Sequence, residues 1–130
     1  MIDHSKFPLE KIANEVKATR KLGLGVMGFG SLLYKLKIPY NSEEAIKLMR
    51  KIIAFIQNEA IEASIELAKE RGVFPKFKGS IWEKRKLKVR NATMSSIAPT
   101  GTISLVADVS SGIEPVFSLV YKRSSFYQDE

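Results

Sequence analysis

The segment 98–104, with the sequence APTGTIS, combines residue types that can bind an anion through the protein backbone. A strand that turns tightly into a helix leaves the first amides of that helix without an intrahelical acceptor, which predicts free N–H groups at Thr102, Ile103 and Ser104. These amides and the positive end of the helix dipole favour a phosphate group. Gly101 permits close approach to the backbone, and the neighbouring hydroxyls can add hydrogen bonds. The candidate phosphate ligands are therefore Thr100, Gly101, Thr102, Ile103 and Ser104.

A purely structural role for the same residues is an alternative, in which Thr100 or Thr102 caps its own helix. Such Ser and Thr caps are common, so the residue spacing alone favours the structural role over phosphate binding.

A second glycine-containing segment, residues 23–30 (GLGVMGFG), matches the spacing GxGxxG of dinucleotide-binding proteins. In that motif the glycines follow a strand and open a helix, whereas here they alternate with apolar residues. The pattern therefore favours a buried strand against which helices pack closely, and not a cofactor site.

Most of the net charge of +7 lies in the stretch 76–90, which has seven basic residues and one acid. Phe77 and Trp82 lie between the cations, an arrangement that can bind nucleic acid by phosphate contacts and base stacking. A solvated lysine-rich loop with Trp82 in the core is the simpler interpretation, so we expect no nucleic-acid partner.

Several kinds of chemistry are excluded by composition, because the chain has no cysteine and one histidine, His4. Disulfides, thiol nucleophiles, thiolate metal sites and histidine metal clusters are all ruled out. Glu114 has no second acid or histidine nearby in sequence, so we expect a structural role for its carboxylate. The sequence has no secretory signal and no apolar stretch of membrane-spanning length, which predicts a cytoplasmic protein without a membrane partner.

The elements that must position these residues are predicted to form one domain. Apolar spacing predicts a short amphipathic helix over 8–22, a buried strand that begins at Leu22, and a helix from Ser31 to Ile38 that Pro39 ends. Residues 41–72 form the clearest helix, with Asn41 as its predicted N-cap.

The long helix is expected to pack on more than one side, because its apolar residues extend beyond one stripe. Gly72 is predicted to end it in the left-handed conformation. The remaining residues predict a loop over 73–90 with a short helix near 81–86, a strand over 91–98, and a terminal strand over 116–121.

Four blocks of the sequence, at 7–12, 20–40, 59–75 and 90–123, resemble one protein family in the order in which the family has them. The family is the large catalytic subunit of ribonucleotide reductase, most closely its adenosylcobalamin-dependent class. The resemblance implies an interior portion of a ten-stranded α/β barrel, with 1–123 as a single domain and 124–130 as a divergent tail. We therefore expect an α/β or helix-rich α+β unit around the long helix, and not a closed barrel. The resemblance also implies that the family's sequence continues upstream of the position of Met1. The divergent tail at 124–130 suggests a truncated or altered end.

The resemblance further implies that the turn at 100–104 contacts the phosphates of a ribonucleotide substrate. The family's radical chemistry uses cysteines, which this chain lacks, so we expect no catalytic residue here and no activity without a complementing reductase polypeptide. No cofactor or metal is expected in the isolated chain, although adenosylcobalamin is implied for the parent family. Asp108 and Val109 stand where the family often has Gly and a small or polar residue.

Unpaired strand edges predict a homo-oligomer. The alternatives are a stand-alone nucleotide- or anion-binding module and an oligomeric interaction protein.

Overall fold

The computed structural model describes residues 1–118 and 120, and this part of the chain is mainly helical. Two short 3-10 turns, Ile2–His4 and Pro75–Phe77, accompany five α-helices. The helices are α1 (Glu10–Thr19), α2 (Phe29–Leu36), α3 (Glu43–Arg71), α4 (Ile81–Lys84) and α5 (Gly101–Val106). The helix-rich, open architecture confirms the expected fold class. No helix in the described part is long and apolar enough to span a membrane.

The predicted strands at 22–29 and 91–98 are wrong, since the described residues form one isolated parallel bridge, between Leu24 and Ser95, and no strand. The two segments are extended and share a few backbone bonds, such as Leu24 N–H to the Met94 carbonyl at 2.9 Å. A pair of segments without further neighbours does not build a regular ladder. In the predicted terminal strand, residues 116–118 are irregular, and 119 and 121 lie outside the described residues.

The long helix α3 is confirmed, with 29 residues and a length of about 44 Å at 1.5 Å per residue. Its N-cap is Ser42 and not Asn41, because the Ser42 hydroxyl accepts a hydrogen bond from the Ala45 amide at 3.2 Å. At the other end Gly72 follows α3, and its amide donates to the Ala68 carbonyl. Its φ of +76° is positive, but its ψ of 167° lies outside the left-handed helical region that the sequence predicted.

Two separate cores lie along α3, one against each half of the helix. Phe55 of α3 is 66% exposed, so the structure does not confirm that the helix packs on more than one side. The N-terminal half of α3 packs against α2 through a cluster of buried residues comprising Phe29, Leu33 and Ala45. The C-terminal half packs against the segment that follows it, through a cluster comprising Phe74, Trp82, Val89 and Met94. The short helix α4 supplies Trp82 to this second core and agrees with the helix expected near 81–86.

The sequence predicted a buried strand with helices packed on it at the glycine segment, and this prediction is wrong: residues 22–25 are exposed, and Gly23 and Gly25 lie against Ser96 in an extended segment. A Cβ on Gly25 would approach the Ser96 carbonyl oxygen to 2.8 Å, and one on Gly23 would approach the Ser96 hydroxyl to 2.7 Å. Gly28, with φ +81°, is the N-cap of α2. Close approach of two backbones therefore explains these glycines without a cofactor.

Candidate functional site

The turn before α5 is built around Thr100, which has a left-handed backbone (φ 53°, ψ 32°). This conformation is unusual for a β-branched residue. The Thr100 hydroxyl accepts a hydrogen bond from the Gly112 amide at 2.7 Å and makes no bond to α5. The predicted alternative, in which a threonine hydroxyl caps α5, is therefore wrong: Thr100 is the N-cap by position, but its hydroxyl holds a neighbouring loop.

Three consecutive amides, those of Gly101, Thr102 and Ile103, have no acceptor among the described residues. All three residues are exposed, and the space beside the Gly101 Cα is open to at least 4 Å. The Ser104 amide donates to the Thr100 carbonyl at 3.0 Å, so its prediction as a free donor is wrong. The three amides without an acceptor are therefore those of 101–103, one residue earlier than the 102–104 that the sequence predicted.

Ser104 is 2% exposed and supports this turn from within. Its hydroxyl donates to the Gly101 carbonyl at 3.1 Å and lies 3.0 Å from the Ser111 hydroxyl. The five predicted ligands are therefore adjacent but divided: three present amides to solvent, while the hydroxyls of Thr100 and Ser104 are engaged inside the chain.

The loop after α5 is tied to the start of α2 by a reciprocal pair of bonds. The Ser31 amide donates to the Ser110 hydroxyl at 3.0 Å, and the Ser110 amide donates to the Ser31 hydroxyl at 2.8 Å. The Gly28 amide also donates to the Ser110 carbonyl, at 2.8 Å. Gly112 lies close to the backbone of Ala98, because a Cβ on Gly112 would approach the Ala98 carbonyl oxygen to 2.8 Å. α2 and this loop together brace the turn at 98–101.

A cleft of about 530 Å³ lies between the start of α2 and the loop after α5. The residues that line it include the acids Asp108 and Glu114 and the serines Ser31 and Ser110. Asp108 has a positive φ of 52°, which suits the glycine that the resemblance places there. Neither carboxylate has a hydrogen-bonded acid or histidine partner among the described residues, so the cleft shows no acid–base pair.

A buried polar network centred on Asn91 was missed from the sequence. Asn91 is 4% exposed, and its side-chain amide donates to the Arg20 carbonyl at 2.8 Å. The Ser64 hydroxyl lies 3.0 Å from the Asn91 side-chain oxygen and accepts from the amides of Asn91 and Arg90, each at 3.1 Å. The network joins the end of α1 to α3, and nothing in the spacing of these residues could have shown that they meet.

Two arginines extend this network to the surface. Arg20 forms a two-pronged ion pair with Asp3, at 2.9 and 2.7 Å, which lowers the pKa of the Asp3 carboxyl to about 2. Arg90 donates to the carbonyls of Arg71, Gly72 and Val73 at the end of α3. Burial, together with the nearby charge of Arg20, lowers the pKa of Arg90. These contacts are structural, because all of their partners come from the chain itself.

The aromatic residues of the basic stretch are not available to stack on bases. Trp82 is 6% exposed and donates its indole N–H to the Ala92 carbonyl at 2.8 Å. Phe77 is half-buried and contacts Phe74 edge to face. Within the described range, no group of three acidic or histidine side chains could hold a metal ion. His4 is exposed in the first 3-10 turn and has no hydrogen-bond partner of its side chain in that range.

Comparison with known proteins identifies relatives over nearly the whole chain. The family model described as "Ribonucleotide reductase, barrel domain" matches residues 1–89 and 85–129. The vitamin B12-dependent ribonucleoside-diphosphate reductase of Thermoplasma acidophilum is 54% identical over 123 residues, which are 95% of this chain. The corresponding protein of Mycobacterium tuberculosis is 47% identical over 124 residues. Among solved structures, the class Id ribonucleotide reductase alpha subunit of Actinobacillus ureae matches with a TM-score of 0.72 and 32% identity over 88% of this chain.

The chain spans a small part of these relatives. It covers 16% of the Thermoplasma protein, 18% of the mycobacterial protein and 21% of the solved alpha subunit. The similarity therefore concerns one portion of a much longer large subunit.

Proposed function

Because the chain belongs to the ribonucleotide reductase barrel-domain family, we propose that it is the portion of the large subunit that binds the substrate's phosphate groups. The observation that carries this proposal is that three successive amides, on the exposed residues Gly101, Thr102 and Ile103, have no acceptor among the described residues. Backbone N–H groups that point to one exposed spot favour an anion, and phosphate oxygens can accept from several of them at once.

The five residues of the turn have different roles in this proposal. The three free amides and the Thr102 hydroxyl contact phosphate oxygens, while Thr100 and Ser104 hold the turn in shape through their buried or bridging hydroxyls. α5 has six residues, so its dipole is small and the contacts are mainly local hydrogen bonds. We expect weak binding by the chain alone.

Reduction of a ribonucleotide to a deoxyribonucleotide requires cysteines in the chemistry that the family resemblance implies. This chain has none, so its residues contribute binding and no redox step. We propose that activity needs a complementing reductase polypeptide that supplies the other parts of the barrel. The extended segments at 22–27 and 93–98 offer it unpaired edges, since they are joined by one bridge and the amides of Gly23 and Gly25 have no acceptor among the described residues. The residues 1–123 would act as one domain in the cytoplasm.

Adenosylcobalamin belongs to the parent enzyme in this proposal, because the named relatives are vitamin B12-dependent. The described residues do not fit this cofactor on their own. One cleft of about 570 Å³ lies beside α1 and Lys76, and the cleft at the start of α2 has about 530 Å³. Both are of the size that accepts drug-sized ligands, which are smaller than a corrin with its adenosyl group. We therefore assign no residue of this chain to the cofactor.

An amide NMR titration with a ribonucleoside diphosphate tests the phosphate site. We expect saturable shifts at Gly101, Thr102 and Ile103 that persist at moderate salt. Thr102→Glu should abolish them, because a carboxylate would repel phosphate there, while a negative charge in the first turn of a helix leaves stability unchanged or slightly raised. Thr102→Gln is the matched neutral control: it also removes the hydroxyl but adds no charge, so it should weaken binding without abolishing the shifts.

Two outcomes would contradict the proposal. One is the absence of any localised shift in the turn; the other is a response confined to the lysines of 76–90 that disappears as salt is raised. A stand-alone anion-binding module is the second candidate. It would show the same shifts, but mixing with a polypeptide that carries the remaining barrel would yield no deoxynucleotide.

A further inference from the structure

Five exposed cations lie in the segment between Phe74 and Val89 of the second core, and we name this set the basic ridge. They are Lys78, Lys84, Arg85, Lys86 and Lys88. None forms an ion pair with an acid in the part of the chain that the structure describes. Glu83, the acid within this stretch, turns its carboxylate back to accept from the Gly79 amide at 2.6 Å. The ridge therefore has five cations beside one carboxylate and a net positive charge, with no ion pair among the described residues.

The basic ridge is held in place by the core beneath it. Trp82 and Val89 are buried, and the Leu87 amide donates to the Trp82 carbonyl at 3.0 Å. The Arg85 guanidinium lies over the Trp82 ring, 5.7 Å from its centroid. A rigid backbone reduces the entropy that binding would cost at this surface.

A complementary surface lies on the C-terminal half of α3, and we name it the glutamate face. It consists of Glu59, Glu62, Glu66 and Glu70, all of them exposed. These glutamates lie at helical spacing on one side, roughly opposite the buried Ser64 and Ala68. Lys69 flanks them, and the described residues place no ion pair on the face.

The two surfaces do not neutralise each other within one molecule. The basic ridge is anchored on the core that α3 covers with its buried side, whereas the glutamate face lies on the opposite side of that helix. Each also has one partly exposed apolar residue beside the charges, Ile81 at 56% on the ridge and Leu67 at 37% on the face. Such a mixed surface is typical of contacts between proteins, in which an apolar anchor is surrounded by charge.

We propose that two copies of this chain associate through these surfaces, with the basic ridge of one copy on the glutamate face of the other. This association is independent of the phosphate site. Single exposed ion pairs contribute little, so the complex depends on several pairs together and weakens as salt is added. Two such contacts close a symmetric dimer, while a single contact per pair of copies leads to longer chains.

Sedimentation velocity of the full chain at low salt tests the proposal. Reversing the ridge (K84E/K86E/K88E) or the face (E62K/E66K) should each raise the dissociation constant at least about tenfold. An equimolar mixture of the two reversed variants should associate again, because each then offers the charge that the other lacks. The matched control K47E/R50E/K51E reverses three exposed cations on the other half of α3 and should lower association less than either variant.

The proposal is overturned if the wild-type chain stays monomeric at 100 µM in low salt, a concentration of about 10⁻⁴ M at which even weak specific contacts are populated. It is equally overturned if the control variant abolishes association as strongly as ridge reversal, or if the reversed variants fail to associate when mixed. A monomer that instead binds poly-glutamate through the ridge would assign that surface to a different acidic partner. Circular dichroism of each variant checks that the helices are retained.

Discussion

The buried network at Asn91 and the exposed turn at Gly101 lie ten residues apart in sequence and use the same kinds of polar group. At Asn91, every described side-chain polar atom has a partner within the chain, in Ser64 or Arg20. At Gly101, three successive amides face solvent without one. Buried polar groups left unpaired are costly, which accounts for the bonds that both polar side-chain atoms of Asn91 make, whereas amides on exposed residues can be left without a partner in the chain. This difference separates residues that maintain the fold from those available for function.

The largest effect is expected when the closed network is broken. Asn91→Ala should lower the free energy of unfolding by about 3 kcal/mol, since it removes several hydrogen bonds and leaves buried partners unsatisfied. Chemical denaturation checks this value. Asn58→Ala, an exposed asparagine on α3, is the control and should change stability by less than about 0.5 kcal/mol. Equal effects of the two substitutions would show that the Asn91 network contributes nothing specific.

A smaller effect is expected inside the turn, where the buried hydroxyl of Ser104 supports the fold. Ser104→Ala should cost about 1 to 2 kcal/mol, because its buried hydroxyl bonds the Gly101 carbonyl and meets Ser111. Thr102→Ala, exposed in the same helix, should cost less than about 0.5 kcal/mol but weaken phosphate binding. A Ser104→Ala variant as stable as the wild type would show that the Ser104 hydroxyl does not support the turn.

The smallest effect concerns the ion pair at the edge of the network. The bond to Arg20 lowers the pKa of Asp3 from 3.8 to about 2, so the pair stabilises the fold above pH 4 and this contribution is lost as pH falls toward 2. Asp3→Asn should remove this pH dependence and bring stability at pH 6 closer to that at pH 2. Thermal unfolding between pH 2 and 6 measures it, and Asp108→Asn, whose carboxylate has no ion-pair partner among the described residues, serves as control. An unchanged pH profile in Asp3→Asn would show that the pair does not contribute.

The helices were largely predictable because their signals are local. The apolar spacing of α3, its closing Gly72 and the proline after α2 are effects of neighbours a few residues apart, and the structure has α3 within two residues of its expected bounds. The strands were not predictable, because a strand must pair with a segment that is distant in sequence. The segment at 91–98 has the composition of a strand but pairs through one bridge to Leu24.

The turn at 98–104 was predictable from the sequence, and its geometry was not. The sequence APTGTIS identified a tight turn before a helix, and the described structure places all five residues together. It could not show that the Thr100 hydroxyl would hold Gly112, since that contact joins residues twelve positions apart through a loop conformation. The free amides consequently begin at Gly101, and the Ser104 amide is occupied.

Local pattern and composition by themselves determined the long helix, the turn, the absence of cysteine chemistry and the concentration of positive charge in 76–90. Tertiary structure alone decided which polar groups are buried together, which amides stay open, and on which sides of the molecule the basic ridge and the glutamate face lie. The physical reason is the range of the interactions. Capping, turn propensity and charge are set by neighbours in sequence, whereas Asn91 finds Arg20 and Ser64 only when helices distant in sequence pack against each other.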